Sequence, residues 1–461
     1  MRAIALPLLL LVVAPSCASA PARAPAPDPA PAPPPAPAPA PASSPAPAST
    51  SAAPAAAASL TDADRVEDAK AANDFTTRLY AKVRRAPGNV MISGTSVRQA
   101  LGIVTLGAAK DTEREMATAL AFPTERARRS ALAIAETLAW EEARGSAELK
   151  LANRIWIEQS FTVKPDFTAA ANAAFGAGVA SVDFAHASDA ARRTINTWAS
   201  DATAHKIDNL LAEGAVDPRT RLVIANALYF KARWSSTFPA NATKTEPFTG
   251  FAASTASGSA GSAASAASGG NGAKTDVPMM HETSMHRFAR TASARVLEMR
   301  YDGSQLSMLL VLPDDPAPAA LAKLEESLSG DTFASWTSAL QSTRVNVSLP
   351  RFKFEAGGPL EPALQELGMR TAFGAKADFS GIAEPANGER LQITRVVQRT
   401  YVSVDENGTE AAAATGAGMS VTAAVLGPIA DFKADHPFLF FVYDASRGRI
   451  LFAGRVTAPR S

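Results

Sequence analysis

The chain has 461 residues, 45 Lys and Arg against 44 Asp and Glu, a formal net charge of +1, and 47% hydrophobic residues. The even charge balance gives no support to a nucleic-acid partner, while the apolar share, much of it alanine, is enough for a sizeable core. The one cysteine, Cys17, excludes a disulfide framework or a Cys-based metal site within the chain. His186, His205, His281, His286 and His436 are scattered, and the spacing of His281 and His286 does not put both on one helix face, so neither a metal nor another cofactor is expected.

Residues 1–20 read as a signal peptide. Met1-Arg2 is a short basic start, and Ile4 to Val13 is an apolar run too short to span a bilayer. Ala18-Ser19-Ala20 fits ordinary signal peptidase. Ala14-Pro15-Ser16-Cys17 resembles a lipobox, departing from it at Ala14 and Pro15, and the sole cysteine falls there. Lipidation of Cys17 is the favoured reading, with several acyl chains forming a stable anchor. The expected location is beyond the inner membrane, as a membrane-anchored lipoprotein of the periplasm or cell surface, or extracellular. Residues 21–62 are Pro/Ala-rich and read as an extended spacer, with a reach on the order of 100 Å at ~3.1 Å per residue.

The folded domain is expected over 63–461, with no second linker to split it. Helical periodicity covers Asp64–Val83, Ser96–Gly107, Asp111–Leu120 and Glu125–Glu142. Glu148–Ile157 reads as a strand. Ser188–Lys206 reads as an amphipathic helix, N-capped by Ser188, with Ile195 and Trp198 on its apolar face. Arg221–Lys231 is almost wholly apolar, the pattern of a strand covered on both faces. Residues 251–273, rich in Ser, Gly and Ala, read as a surface-loop insertion between strands. Ser307–Leu312, Val345–Leu349 and Phe438–Tyr443 are further strands, and helices on one side of large, largely antiparallel sheets indicate an α+β fold.

Asp405-Glu406-Asn407-Gly408-Thr409-Glu410 leads into four alanines, Ala411 to Ala414, and Thr415. By composition this is a solvated linker. As a strand, it would put Thr409, Ala411, Ala413, Thr415 and Ala417 on one face, with the lone charge of Glu410 on the other. Such a strand could slide between existing strands without burying that charge.

Five segments in order resemble the serpin family. They are Asn89 to Ser96, Asn226 to Trp234 (NALYFKARW), Val277-Pro278-Met279-Met280, Asp435 to Phe440, and Ile450 to Val456. The resemblance runs from about Asp68 to Pro459 and, together with the lipobox-like signal, likens the chain to a bacterial serpin. It implies three β-sheets, about eight or nine helices and an exposed reactive-centre loop over 408–430. A target serine protease would attack that loop and form a covalent acyl-enzyme. The cleaved loop would then insert into the main sheet and distort the protease.

By the same resemblance, the hinge is Glu406, Gly408, Thr409, Glu410, Ala411, Ala412, Ala413, Ala414 and Thr415. Ser93, Ser96 and Asn226 match the polar shutter, with Gln398 where the family usually has His. Trp234, Arg351 and His436 belong with the shutter and the loop's entry point, and Arg351 pairs with Glu406 by analogy, as a surface gate. Counts from either end of the loop differ by four residues. The reactive bond therefore falls within Thr422, Ala423, Ala424, Val425 and Leu426, with Met419 as an outside candidate.

No Lys or Arg occurs between Gly408 and Asp431, which points away from trypsin-like targets and toward elastase-, chymotrypsin- or subtilisin-like ones. The basic groups at Arg126, Arg128 and Arg129 and at Lys82, Arg84 and Arg85 read as solvated helix ends rather than a polyanion site. No G-x-S-x-G elbow, HExxH or phosphate loop is present, so the chain is read as a monomeric inhibitor and not an enzyme. The competing reading is a non-inhibitory serpin acting as a surface binding or chaperone-like protein, for which Gln398 and the long loop leave room.

Overall fold

The computed structural model describes residues 60–123, 125–175, 178–251, 274–384, 388–409 and 428–460. Cys17, the signal and nearly all of the spacer lie outside the described residues, as do 252–273 and 410–427 with the reactive-bond window and the hinge from Glu410 onward.

The chain order is α1 (Asp62–Val83), β1 (Val90–Ile92), α2 (Gly94–Leu106), α3 (Lys110–Ala119), α4 (Arg126–Arg144), β2 (Glu148–Glu158), α5 (Pro165–Phe175), β3 (Gly178–Val182), α6 (Phe184–Ala202) and β4 (Leu222–Arg233). It continues through β5 (Lys244–Thr249), β6 (Lys274–Arg290), β7 (Ala294–Arg300), β8 (Leu306–Pro313), α7 (Pro318–Ser327), α8 (Gly330–Ala339), β9 (Gln341–Pro350), β10 (Phe352–Pro359) and α9 (Glu361–Glu366). The last elements are β11 (Arg395–Asp405), β12 (Gly408–Thr409), β13 (Ala430–Lys433), β14 (Phe438–Asp444) and β15 (Arg449–Val456).

Local signals explain most helix starts. Thr61 and Asp64 form a reciprocal capping box at α1. Ser93 caps α2 by accepting from the Ser96 N–H, so that helix begins at Gly94 rather than Ser96. The expected cap at Ser188 is corrected. Asp183 caps an earlier turn by accepting from the His186 N–H, Ala187 leaves the helical backbone at φ −138°, and α6 ends at Ala202 instead of Lys206.

A six-stranded sheet runs β10-β11-β12-β4-β2-β3, with β11 also pairing directly with β4. A nine-stranded sheet runs β1-β15-β14-β8-β7-β6-β9-β13, with β5 attached to β6. Its wing of β5, β9 and β13 is the third strand set, continuous with the rest through the 17-residue β6. The α+β serpin-like architecture therefore holds among the described residues, with nine α-helices.

β4 is buried on both faces, which explains its unbroken apolar sequence. Leu222 and Ile224, and Leu228 and Phe230, enter the cores between the sheets and helices. Val223, Ala225, Ala227 and Tyr229 face Phe184, Ala191, Ile195 and Ala199 of α6. Full burial of a side chain such as Ile195 contributes about 1.5–3 kcal/mol. A buried ionic cluster joins α1, α2, α4 and β15: Asp68 accepts from Arg98 (2.7 Å) and Arg449 (2.6 Å), and Arg449 also meets Glu136 (2.7 Å).

Candidate functional site: a seam in the six-stranded sheet

β11 and β4 run parallel and pair directly from Arg395↔Val223 to Tyr401↔Tyr229. Beyond that point they part, and Gly408–Thr409 sits between them. Thr409 pairs with Val404 on one side and Ala232 on the other, and Gly408 with Asp405 and Arg233, all antiparallel. A parallel pair is slightly weaker per residue than an antiparallel one, so a further antiparallel strand between β11 and β4 would be favoured by both neighbours.

The entry is built by local hydrogen bonds. The Asp405 carboxylate accepts from Asn407 N (2.8 Å) and Gly408 N (3.2 Å), turning the chain back. Trp234 N donates to Asn407 O, and its Nε1 to Asp405 O at 3.0 Å. The Trp234 ring stacks on Tyr301 with centroids 4.6 Å apart, and the Tyr301 hydroxyl bonds the Thr409 hydroxyl at 2.8 Å. Thr409 is fully buried. Gly408 has φ +151°, and an added Cβ would lie 2.0 Å from Ala232 O, so only glycine fits.

Arg351 donates to Glu406 through Nε (2.9 Å) and Nη2, and Thr243 Oγ1 donates to the same carboxylate. The pair is not the surface gate read from the sequence: the Glu406 side chain is 9% exposed against 39% for Arg351. Burial raises the Glu406 pKa, but the bonds from Arg351 and Thr243 outweigh it and hold the carboxyl below its ordinary range. Burial pushes the neighbouring Asp405 up.

At the closed end, Ser93, Ser96, Asn226 and Gln398 meet and are buried. Gln398 Nε2 donates to Asn226 Oδ1 (2.5 Å) and Ser93 O (3.0 Å), while its Oε1 accepts from Ser93 N (2.9 Å). Asn226 Nδ2 donates to Ser96 Oγ and to Asn153 Oδ1. The amide of Gln398 thus ties β11 to β4 and both to the cap of α2 without a titrating group. His436 is not part of this cluster. Its ring lies between Asp435 Oδ1 (2.8 Å) and Pro313 O (2.9 Å).

Thr243, Tyr301 and Asn153 were not singled out from sequence, being isolated residues far along the chain from their partners. Asn153 alone carried a signal, as a polar residue on a strand directly opposite Asn226. The basic helix ends carry acidic partners: Arg128 meets Asp64 and Glu67, Lys82 and Arg85 meet Glu366, and Arg84 meets Glu325.

A sequence profile described as Serpin (serine protease inhibitor) matches residues 70–459. The chain belongs to the serpin family. Among similar serpins, the leukocyte elastase inhibitor of Sus scrofa is 38% identical over 405 residues, covering 86% of this chain and all of the relative. An uncharacterized serpin-like protein of Thermococcus kodakarensis is 34% identical, covering 85% of each chain. The crystal structure of a highly specific serpin of the insect Tenebrio molitor superposes with a TM-score of 0.71 at 30% identity, covering 87% of this chain and all of that one.

Likeness to elastase inhibitors supports serine-protease inhibition as the serpin's class of activity. Missing hydrolase motifs do not by themselves set the chain apart from enzymes. The ground that carries weight is the likeness to serine protease inhibitors.

Proposed function

We propose that this serpin is a suicide substrate of serine proteases whose cleaved loop inserts between β4 and β11. The observation that carries the reading is Gly408–Thr409, already antiparallel partner to both strands. Continuing either register, Ala411 would meet Val402 and Phe230, Ala413 would meet Thr400 and Leu228, and Thr415 would meet Gln398 and Asn226. The two registers are set by different strands yet agree on each position. Thr415 would therefore part the Gln398–Asn226 bond, and its hydroxyl could replace part of it. Like Val404 opposite Thr409, Val402 and Thr400 are buried, so this face accepts only small residues, and Ala411, Ala413 and Thr415 are small.

About ten new residues in the ladder, at ~0.5–1.5 kcal/mol net per hydrogen bond, would contribute on the order of 10 kcal/mol. That is comparable with the whole stability of a typical domain. With cleavage in Thr422–Leu426, enough chain precedes the bond to fill the seam. The absence of Lys and Arg there suits elastase-, chymotrypsin- or subtilisin-like targets. The protein would act as a monomer, exported and held through lipidated Cys17 on the Pro/Ala spacer. Replacing Cys17 with Ser would then release intact protein into the soluble fraction, and unchanged membrane partition would refute the anchor.

Incubation with pancreatic elastase or chymotrypsin tests the inhibitory reading. An SDS-stable covalent complex is expected, with mass spectrometry placing the cut in Thr422–Leu426. Clipped protein with no complex and no rise in melting temperature would favour the non-inhibitory alternative.

A further inference from the structure

Three Asn–Gly pairs occur in the chain, Asn271–Gly272, Asn387–Gly388 and Asn407–Gly408. Only the third lies wholly within the described residues, where it closes the turn between β11 and β12. This dipeptide is open to a reaction within the backbone. The glycine nitrogen can attack the side-chain amide of the asparagine, because no Cβ shields it.

The turn equips Gly408 N for that attack. Glycine is fixed at this position, since a Cβ would lie 2.0 Å from Ala232 O. Asp405 Oδ1 accepts from Gly408 N at 3.2 Å, so a carboxylate stands where it can take the proton of the attacking nitrogen. Burial raises the Asp405 pKa, which makes it a stronger base than an ordinary aspartate. Trp234 N donates to Asn407 O at 2.8 Å, which draws electron density from the Asn407–Gly408 peptide and makes its N–H more acidic. Asn407 is half-buried, and its side-chain amide makes no hydrogen bond among the described residues. No bond has to break before that amide swings toward Gly408 N.

We propose that Asn407–Gly408 is a modification site, at which the hinge deamidates through a succinimide and so ages the inhibitor. Gly408 N forms a bond to Asn407 Cγ while Asp405 takes its proton. The Cγ–Nδ2 bond then breaks, and Nδ2 leaves with that proton as ammonia. Water opens the ring at either carbonyl, giving aspartate or isoaspartate at 407. Isoaspartate routes the backbone through Cβ and Cγ, adding one carbon ahead of Gly408. The carbonyl that Trp234 N holds becomes a carboxylate, and Thr409 is carried out of its register with Val404 and Ala232. Either product also adds a negative charge beside Asp405 and Glu406. The effect on inhibition rests on the loop-insertion reading: the aged chain is cleaved as a substrate and no longer traps its protease.

Storage of the full chain in neutral buffer tests the proposal, read by peptide mapping with mass spectrometry and by isoaspartyl methyltransferase labelling. Asn271 and Asn387 serve as internal clocks in the same digest. Asn407 should convert in the folded protein at least as fast as in a free peptide of residues 402–412. Asp405→Asn has an amide oxygen that can still hold the turn but cannot take a proton. It should slow conversion at 407 about tenfold or more and leave 271 and 387 unchanged. Melting curves establish that the variant is folded; should it not fold, the comparison of folded wild type with the peptide decides. The proposal is overturned if Asn407 stays intact while Asn271 and Asn387 convert, if it converts more slowly than in the peptide, or if folded Asp405→Asn converts as fast as wild type. The second readout is the covalent complex with elastase. The trapped fraction should fall in step with conversion at 407, and Asn407→Gln should retain it on storage. Full conversion with an unchanged trapped fraction overturns the ageing role. A fresh chain that forms no complex refutes the loop-insertion reading instead, and the mass readout still decides the modification.

Discussion

The two ends of the β4–β11 seam are built from opposite materials. At the open end the strands are held apart by two small residues, Gly408 and Thr409, seated on the Trp234–Tyr301 stack. At the closed end they touch, and Gln398, Asn226, Ser93 and Ser96 bond across the gap. The closed end is also roofed, because Val397 and Tyr401 of β11 and Val223 and Tyr229 of β4 pack in one cluster with α6. The difference teaches that, on the proposed insertion, entry would require only fit, whereas progress would require exchanging a satisfied polar cluster and shifting a packed helix. A sheet so arranged would stay closed until a strand arrived that could replace those bonds.

The largest effect should come from spoiling fit at the open end. Thr409→Arg would put an unpaired cation where no solvent reaches, at a cost of several kcal/mol. The variant should be cleaved as a substrate, and the fraction trapped as covalent complex on a gel should fall by about a hundredfold or more. Gly408→Ala comes next. Its Cβ would strike Ala232 O, and the cost of about 1–3 kcal/mol should eject the two-residue strand, read as faster amide exchange at Thr409 with the closed end unchanged. Asn226→Ala attacks the closed end instead. It leaves Gln398, Ser96 and Asn153 short of partners and should cost about 1–3 kcal/mol, a fall of a few degrees in melting temperature. Uncleaved Asn226→Ala should also insert its loop faster on warming.

The smallest effect concerns the half-buried Glu406–Arg351 pair, worth about 1 kcal/mol because solvent at Arg351 screens it. The folded-state pKa of Glu406 is depressed, so its contribution is present above the ordinary glutamate value near ~4.3 and lost as pH falls through the lower folded value. Glu406→Gln should therefore melt slightly lower than wild type at neutral pH, with the gap closing in acid. A gap that widened on acidification would assign the pair another role.

Much of the seam was legible because its residues sit in motif segments. Asn226 and Trp234 fall in one run, Ser93 and Ser96 in another, and the alternation after Gly408 is visible without coordinates. The apolar run of β4 was read correctly as doubly covered, since both faces meet cores. β6 was expected only as a strand following the 251–273 insertion, without its full length. It serves two strand sets in turn and exposes residues along most of its length, which erases a clean period of two. The start of α6 was misjudged because the break at Ala187 makes Ser188 resemble a first residue. The Asp68–Arg98–Glu136–Arg449 cluster was invisible for another reason: charges in amphipathic helices read as solvated until the fold turns them inward.

The central claim is that the closed end opens by one strand when the loop is cut. In a Cys17→Ser background, spin labels at positions 221 and 395 would flank the closed end of the seam, where Arg395 pairs with Val223. Cleavage by elastase should lengthen the distance between the labels by about 5 Å, the spacing of one added strand. An unchanged distance in fully cleaved protein would contradict insertion between β4 and β11.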